Sequence, residues 1–200
     1  ALLMGMGGSS LAPEVFRLTF GVKEGYLDLS VIDSTHPQVV MEKVKELNPA
    51  TTLYIVSTKS GGTVETFSFM KFFFNYVSKL LGREEAGKHF VAITDPGSGL
   101  QTVAQELNFR KVFLNDPNIG GRFSALSLFG IVPAALVGSE IEKILSLAKE
   151  ETLNCKKTGK TASENIATVI GAMIGALGKK GIDKITYIIS PQFKFIGAGI

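Results

Sequence analysis

The chain has 200 residues, 45% of them hydrophobic, with 21 basic against 18 acidic side chains and a net charge of +3. That apolar content builds a substantial core and excludes a disordered chain, while the near balance of scattered charges argues against nucleic acid or an anionic membrane as partner. Cys155 is the only cysteine and His36 and His89 have no ligand-like spacing, so neither a disulfide framework nor a metal site is expected, and a reducing compartment fits.

The chain alternates between short apolar runs and longer periodic ones. LLMGM (2–6) predicts a buried strand; no basic segment stands ahead of it, so it is not read as a signal peptide. A Gly-Gly-Ser-Ser turn follows, then a helix from about Leu11 to Phe20. YLDLSVID (26–33) predicts a strand. HPQVVMEKVKELN (36–48) predicts a helix with Pro37 in its first turn and Val40, Val44 and Leu47 on one face. TTLYIVS (51–57) is a strand, STKSGGTVET (57–66) a turn, and a helix covers roughly 64–81. HFVAITD (89–95) is a strand, GLQTVAQELN (99–108) a helix and KVFLND (111–116) a strand. These strands are nearly continuous in hydrophobicity, the pattern of a sheet covered on both faces. Strand–helix alternation of this kind predicts a three-layer, doubly wound parallel α/β sheet.

After Asp116 the texture changes. Residues 117–138 run from a loop into an apolar helix, SEIEKILSLAKEE (139–151) is amphipathic, and KKTGKTASEN (156–165) reads as a polar connector. IATVIGAMIGALG (166–178) predicts a helix, too short for the roughly 20 apolar residues that span a bilayer; its Gly171 and Gly175 suit close helix packing. ITYIIS (185–190) predicts a final strand, and 191–200 a loop entering another helix. The expected division is a ligand-binding domain over 1–138 and, over 139–200, additional C-terminal helices, a final strand and the truncated start of a second domain. The abrupt beginning and end read as those of a fragment.

In an open α/β sheet, ligands bind beyond the carboxyl ends of the strands. Three polar, glycine-containing turns fall there: MGGSSLAP (6–13), STKSGGTVET and NIGGRFSA (118–125). The first begins like a dinucleotide fingerprint, with Asp28 or Asp33 downstream, but Ser10 stands in the third glycine position; a plain turn with a serine N-cap is the other reading. The second places Thr58, Ser60 and Thr63 at a helix start, where hydroxyls and free amides can hold a terminal phosphate. It lacks the nucleotide P-loop order, since Lys59 precedes the glycines. The same residues also suit an ordinary capped helix, with Gly62 followed three residues on by Glu65. In the third turn, glycines free the backbone to aim Arg122 at negative charge on a substrate oxygen; a surface arginine paired with Asp116 is the alternative.

Taken together, GMGGSSLAP, STKSGGTVET and IGGRFSALSLFGIVPAAL resemble the glucose-6-phosphate isomerase family in its bacterial form, in order and spacing, from residue 1 to about 200. The resemblance implies a flavodoxin-like, five-stranded sugar-isomerase (SIS) domain, the first of two per subunit. It implies an aldose–ketose isomerase (EC 5.3.1.9) of glycolysis and gluconeogenesis, interconverting glucose 6-phosphate and fructose 6-phosphate through a cis-enediolate. No metal or organic cofactor, a cytoplasmic location and a homodimer of the full-length protein come with it. A fusion of isomerase to transaldolase, known in some bacteria, is compatible with the abrupt start. By position, Thr58, Ser60, Thr63 and Thr66 correspond to the phosphate clamp, helped by Ser9 and the Lys59 backbone. Gly8 and Ser9 correspond to the sugar side, and Arg122, with Gly121 beside it, to the arginine that stabilises the enediolate. Thr58 stands where serine is common, Gly62 where threonine is frequent and Ser10 where aspartate is frequent.

The family's base is a glutamate in a segment beyond Ile200, and its ring-opening histidine matches neither His36 nor His89. Proton abstraction beside a carbonyl needs such a base. The expectation is therefore a chain that binds sugar phosphate weakly without turnover. A non-catalytic SIS module that senses a phosphosugar is the rival reading, and a Rossmann-type oxidoreductase a third.

Overall fold

The computed structural model describes residues 1–156 and 164–199. Most of the connector expected over 156–165 therefore lies outside the described residues.

The sheet is built from the apolar runs. Strands β1 (Leu2–Gly5), β3 (Tyr54–Ser57) and β4 (Phe90–Thr94) are buried along their whole length, as central parallel strands must be. β2 (Ser30–Ile32) and β5 (Lys111–Leu114) form the edges, in the order β2-β1-β3-β4-β5, all parallel. Register is direct: Leu2 stands beside Tyr54, Tyr54 beside Phe90, and Val91 beside Lys111. The expected doubly wound, flavodoxin-like order is present.

Alternation along the strands separates two cores. Leu2, Met4, Tyr54, Val56, Phe90 and Ala92 face one side, where α3 (Val64–Leu81) contributes Phe69, Phe73, Phe74 and Val77. α2 (Pro37–Glu46) and α5 (Gly99–Glu106) complete that layer. Leu3, Ile55, Val91 and Ile93 face the other side and meet Phe129 of α6 (Leu128–Leu136), which lies against α1 (Leu11–Phe20). A one-turn helix, α4 (Arg83–Ala86), follows α3.

Local signals explain the element ends. Proline opens α2, and His36 accepts the Gln38 amide through Nδ1 at 3.3 Å. His89 stands just before β4. β2 is shorter than 26–33 suggests: the Leu27 amide donates instead to Leu136 O at the end of α6, just as the preceding Lys23 amide donates to Val137 O.

Tyr54 carries a further consequence. Its ring is fully buried between Phe73 and Phe90, and among the described residues its hydroxyl makes no hydrogen bond of ordinary geometry, although Thr52 stands close enough to favour the phenolate slightly. Burial pushes the phenol up to about 12 from 10.0. The folded state thus holds this proton more tightly than the unfolded chain, so stability should fall as pH rises through 10 toward 12. Tyr54→Phe should gain about 1 kcal/mol at pH 7, since an unpaired buried hydroxyl is removed, and should flatten that alkaline loss. Urea denaturation at pH 7 and in the alkaline range checks both.

Contacts divide the chain into Ala1–Ser139 with Gln192–Ile200, and Glu140–Pro191. The second unit holds α7 (Ile141–Lys156) and α8 (Ile166–Gly178), neither with a buried residue. α8 exposes Ile170, Met173 and Ile174. The strand expected over 185–190 does not form: residues 182–190 have no regular secondary structure. A β-branched run becomes a strand only where a neighbour accepts its backbone bonds, and the described residues of this unit contain no strand to pair with it. The helix expected near the end is a 3-10 helix over Pro191–Gly199.

Candidate functional site

Because β2 and β3 lie on opposite sides of β1, the chain's crossovers part at the carboxyl ends of β1 and β3, opening a crevice there. The turn after β3 is anchored by its backbone. The Thr58 amide donates to Ile93 O at 3.1 Å, and Lys59 O accepts from the Asp95 amide at 3.1 Å and Thr94 Oγ1 at 3.3 Å. Gly61 has φ +64°, and a Cβ on it would stand 2.8 Å from both Leu100 N and Ser98 Cβ. Only glycine lets this turn lie against the start of α5.

Thr63 is the N-cap of α3, yet its side chain caps nothing. Its Oγ1 instead pairs with Thr58 Oγ1 at 3.0 Å, and Ser60 Oγ accepts the Gly62 amide at 3.3 Å. The capping box expected from Gly62 and Glu65 does not form. With the cap one residue later, at Thr63, Glu65 falls a position short of the reach such a box needs. The first amides of an 18-residue helix therefore receive no side-chain cap, and its dipole adds positive potential there.

The turn after β1 is a 3-10 turn, Gly7–Ser9, whose Ser9 carbonyl accepts from Ser57 Oγ at 3.0 Å. The turn after β5 docks onto it backbone to backbone. A Cβ on Gly8 would stand 2.3 Å from Gly121 O, so glycine at position 8 permits the approach, whereas a Cβ on Gly121 would meet open space. Ser124 Oγ lies across the junction, 3.2 Å from Gly8 O and 2.7 Å from Gly121 O.

A cavity of about 390 Å³ results, lined by Gly8, Ser9, Thr58, Lys59, Ser60, Thr63 and Gly121 among others. Gly8 and Gly121 also border a neighbouring cavity of about 540 Å³, where Arg122 stands beside Leu11, Val15 and Phe16 of α1. Arg122 is exposed and makes no hydrogen bond or ion pair among the described residues. The alternative pairing with Asp116 is not realised: that carboxylate accepts the Asn118 amide at 2.9 Å and Asn118 Nδ2 at 3.0 Å.

Thr66 is the one proposed residue that lines neither cavity. It sits one turn into α3, fully buried, with Oγ1 unpartnered among the described residues. Asp95 is a lining residue that the reading of the turns missed. It ends the HFVAITD run at the same sheet edge, and that position was the available signal. Its carboxylate holds the Lys59 ammonium, which also donates to Pro117 O at 2.9 Å.

A crevice rimmed by hydroxyls and helix-start amides, with an unengaged arginine alongside, suits a small phosphorylated ligand. Comparison with known proteins agrees in where it points. The family model for phosphoglucose isomerase matches residues 1–193. The chain is 34% identical over 152 residues to a glucose-6-phosphate isomerase of Thermus thermophilus, covering 74% of this chain and 35% of that protein. It is 33% identical over 167 residues to the Carboxydothermus hydrogenoformans enzyme of that name, covering 78% and 35%. The chain thus spans about a third of the length of these curated relatives. Among solved structures, a hypothetical protein of Thermus thermophilus superposes with a TM-score of 0.80 at 28% identity, over 88% of this chain and 41% of that one. A glucose-6-phosphate isomerase of Chlamydia trachomatis shares the fold at the same TM-score and 24% identity, over 99% of this chain and 38% of that one. The family model spans all three turns that build the crevice, and the chain belongs to the phosphoglucose isomerase family.

Proposed function

We propose that this chain is the sugar-phosphate-binding part of an aldose–ketose isomerase that interconverts glucose 6-phosphate and fructose 6-phosphate. In this reading residues 1–138 form the binding domain, and 139–200 are a helical connector and the start of a second domain. The observation that carries it is the meeting of three distant turns in one crevice, with the N-cap hydroxyl of α3 left off its own helix. Thr58, Ser60 and Thr63 hydroxyls and the α3 amides hold the phosphate, with the Lys59 backbone beside them. Ser9 and Gly8 border the sugar. Arg122, next to Gly121, stabilises the oxyanion that develops as the proton moves between C1 and C2. Thr66 supports the clamp from one turn behind.

The proton shuttle needs a base within hydrogen-bond reach of the sugar carbons. Among the described residues no glutamate or histidine lines either cavity, and the lining carboxylate, Asp95, is held through Oδ2 by the Lys59 ammonium. The chain is therefore expected to bind fructose 6-phosphate without isomerising it. A coupled assay showing turnover by residues 1–200 would overturn this.

Roles within the site separate by mutation. Thr63→Ala should weaken fructose 6-phosphate binding by about tenfold or more, the loss of a hydrogen bond to a charged group. Arg122→Ala should weaken it far less, because its charge meets the reacting end. Calorimetric titration reads both, and equal losses would contradict the assignment. The rival reading, a non-catalytic sensor, leaves Arg122 without a role, because a module that only binds phosphosugar needs no free guanidinium at the reacting end.

A further inference from the structure

Lys59 sits in the middle of the phosphate turn, yet its ammonium points elsewhere. It is held by the Asp95 carboxylate, at the end of β4, and by Pro117 O, in the turn after β5. The pair is largely withdrawn from solvent, with side-chain exposures of 30% and 13%. Both residues nevertheless line the cavity that holds Thr58, Ser60 and Thr63. A cation one residue from the clamp is thus kept from being the clamp.

We propose that Asp95 is a positioning residue that pins the Lys59 ammonium across the β4 and β5 turns, so that neutral donors alone meet the phosphate and the Arg122 turn is tethered. This rests on the phosphate-cradle reading of the turn after β3. A strongly hydrated, flexible ammonium left free would seek the anion as a point charge, holding substrate and product alike and gaining nothing in the transition state. Hydroxyls and amides fixed by the fold hold the anion in one place instead. The same ammonium, by taking Pro117 O, links the β3 turn to the segment that leads on to Arg122. Distance between clamp and arginine is thereby set by an ion pair bridging three strand ends.

The test is titration of residues 1–200 with inorganic phosphate at low ionic strength. Asp95→Asn should bind phosphate about tenfold more tightly than the wild type, because the released ammonium adds a charge-assisted bond. The gain should vanish in the double variant Lys59→Met with Asp95→Asn. In that variant the pair sums to the same charge as in the wild type, so simple removal of a carboxylate near an anion is controlled for. Amide hydrogen exchange over 118–124 should rise in both variants as the tether is lost. Asp95→Asn binding no tighter, a gain that persists in the double variant, or unchanged exchange would each overturn the proposal. A wild-type chain that binds no phosphate at all would bring down the cradle reading and this inference together. Wild-type binding without the Asp95→Asn gain would bring down this inference alone. Should Asp95→Asn fail to fold, Lys59→Met alone still reads the tether through exchange.

Discussion

Gly8→Ala is expected to separate the two halves of the site and to lower turnover about a hundredfold, in a protein carrying the rest of its relatives' length. The new Cβ would stand 2.3 Å from Gly121 O and 2.8 Å from its carbonyl carbon, against an ordinary contact of 3.4–4 Å. The obstacle is backbone on both sides, so no side chain can swing away to relieve it. The turns must part by about 1 Å, and displacements of that size cost about a hundredfold in rate when they misplace a catalytic group. Ser124 Oγ, which shares its one proton between Gly121 O at 2.7 Å and Gly8 O at 3.2 Å, cannot keep both partners once they separate. Stability should fall by about 1–3 kcal/mol, the usual cost of overpacking. Phosphate affinity should fall less than turnover, because Thr58 and Thr63 belong to the turn that does not move. Steady-state kinetics with thermal denaturation distinguishes this from simple unfolding: a variant that melts near the wild type yet turns over as fast would refute the role given to the close approach.

Phe90→Ala should be the most damaging substitution for the fold, costing about 3–5 kcal/mol. Phe90 is fully buried at the start of the interior strand β4. Its ring lies 4.8 Å from Tyr54, 5.2 Å from Phe109 and 5.3 Å from Phe74, centroid to centroid. Removing it leaves a hole that strand, helix α3 and the segment after α5 all border, and those elements are held by the sheet and cannot collapse inward together. Against a total stability of about 5–15 kcal/mol, such a loss brings the chain close to unfolding at ambient temperature. A urea midpoint within a small margin of the wild type would mean that the aromatic cluster is more plastic than its packing indicates. Phe90→Leu, which keeps most of the volume, should recover the larger part.

Much of this fold is legible in the chain because its signals are local. Apolar runs of four or five residues bounded by glycine, serine or threonine mark β1, β3 and β4, and Pro37 and the 3.6-residue period mark α2. Where reading fails, a distant partner decides. The stretch 185–190 has the residues of a strand and no strand to pair with. Residues 26–29 have them too, but the Leu27 amide is drawn to Leu136 O at the end of α6 and those of Tyr26 and Leu29 are met locally by Lys23 O and Asp28 Oδ1. Thr66 looks like the other hydroxyls of its turn, and the helical rotation of α3 carries it into the core instead of the cavity.

The parallel α/β order, the position of three polar turns at strand ends and the residue types that suit a phosphate can all be read along the chain. These follow from periodicity, turn chemistry and backbone permissiveness, which act over a few neighbouring residues. Tertiary structure alone decided which atoms are free to act. It took Thr63 off its cap and set it against Thr58, left Arg122 without a partner among the described residues by giving Asp116 to Asn118, and committed Lys59 to Asp95. Each of these is a competition for one hydrogen-bonding group among several candidate partners. Only the packed fold, by bringing one of them within hydrogen-bonding distance, settles the winner.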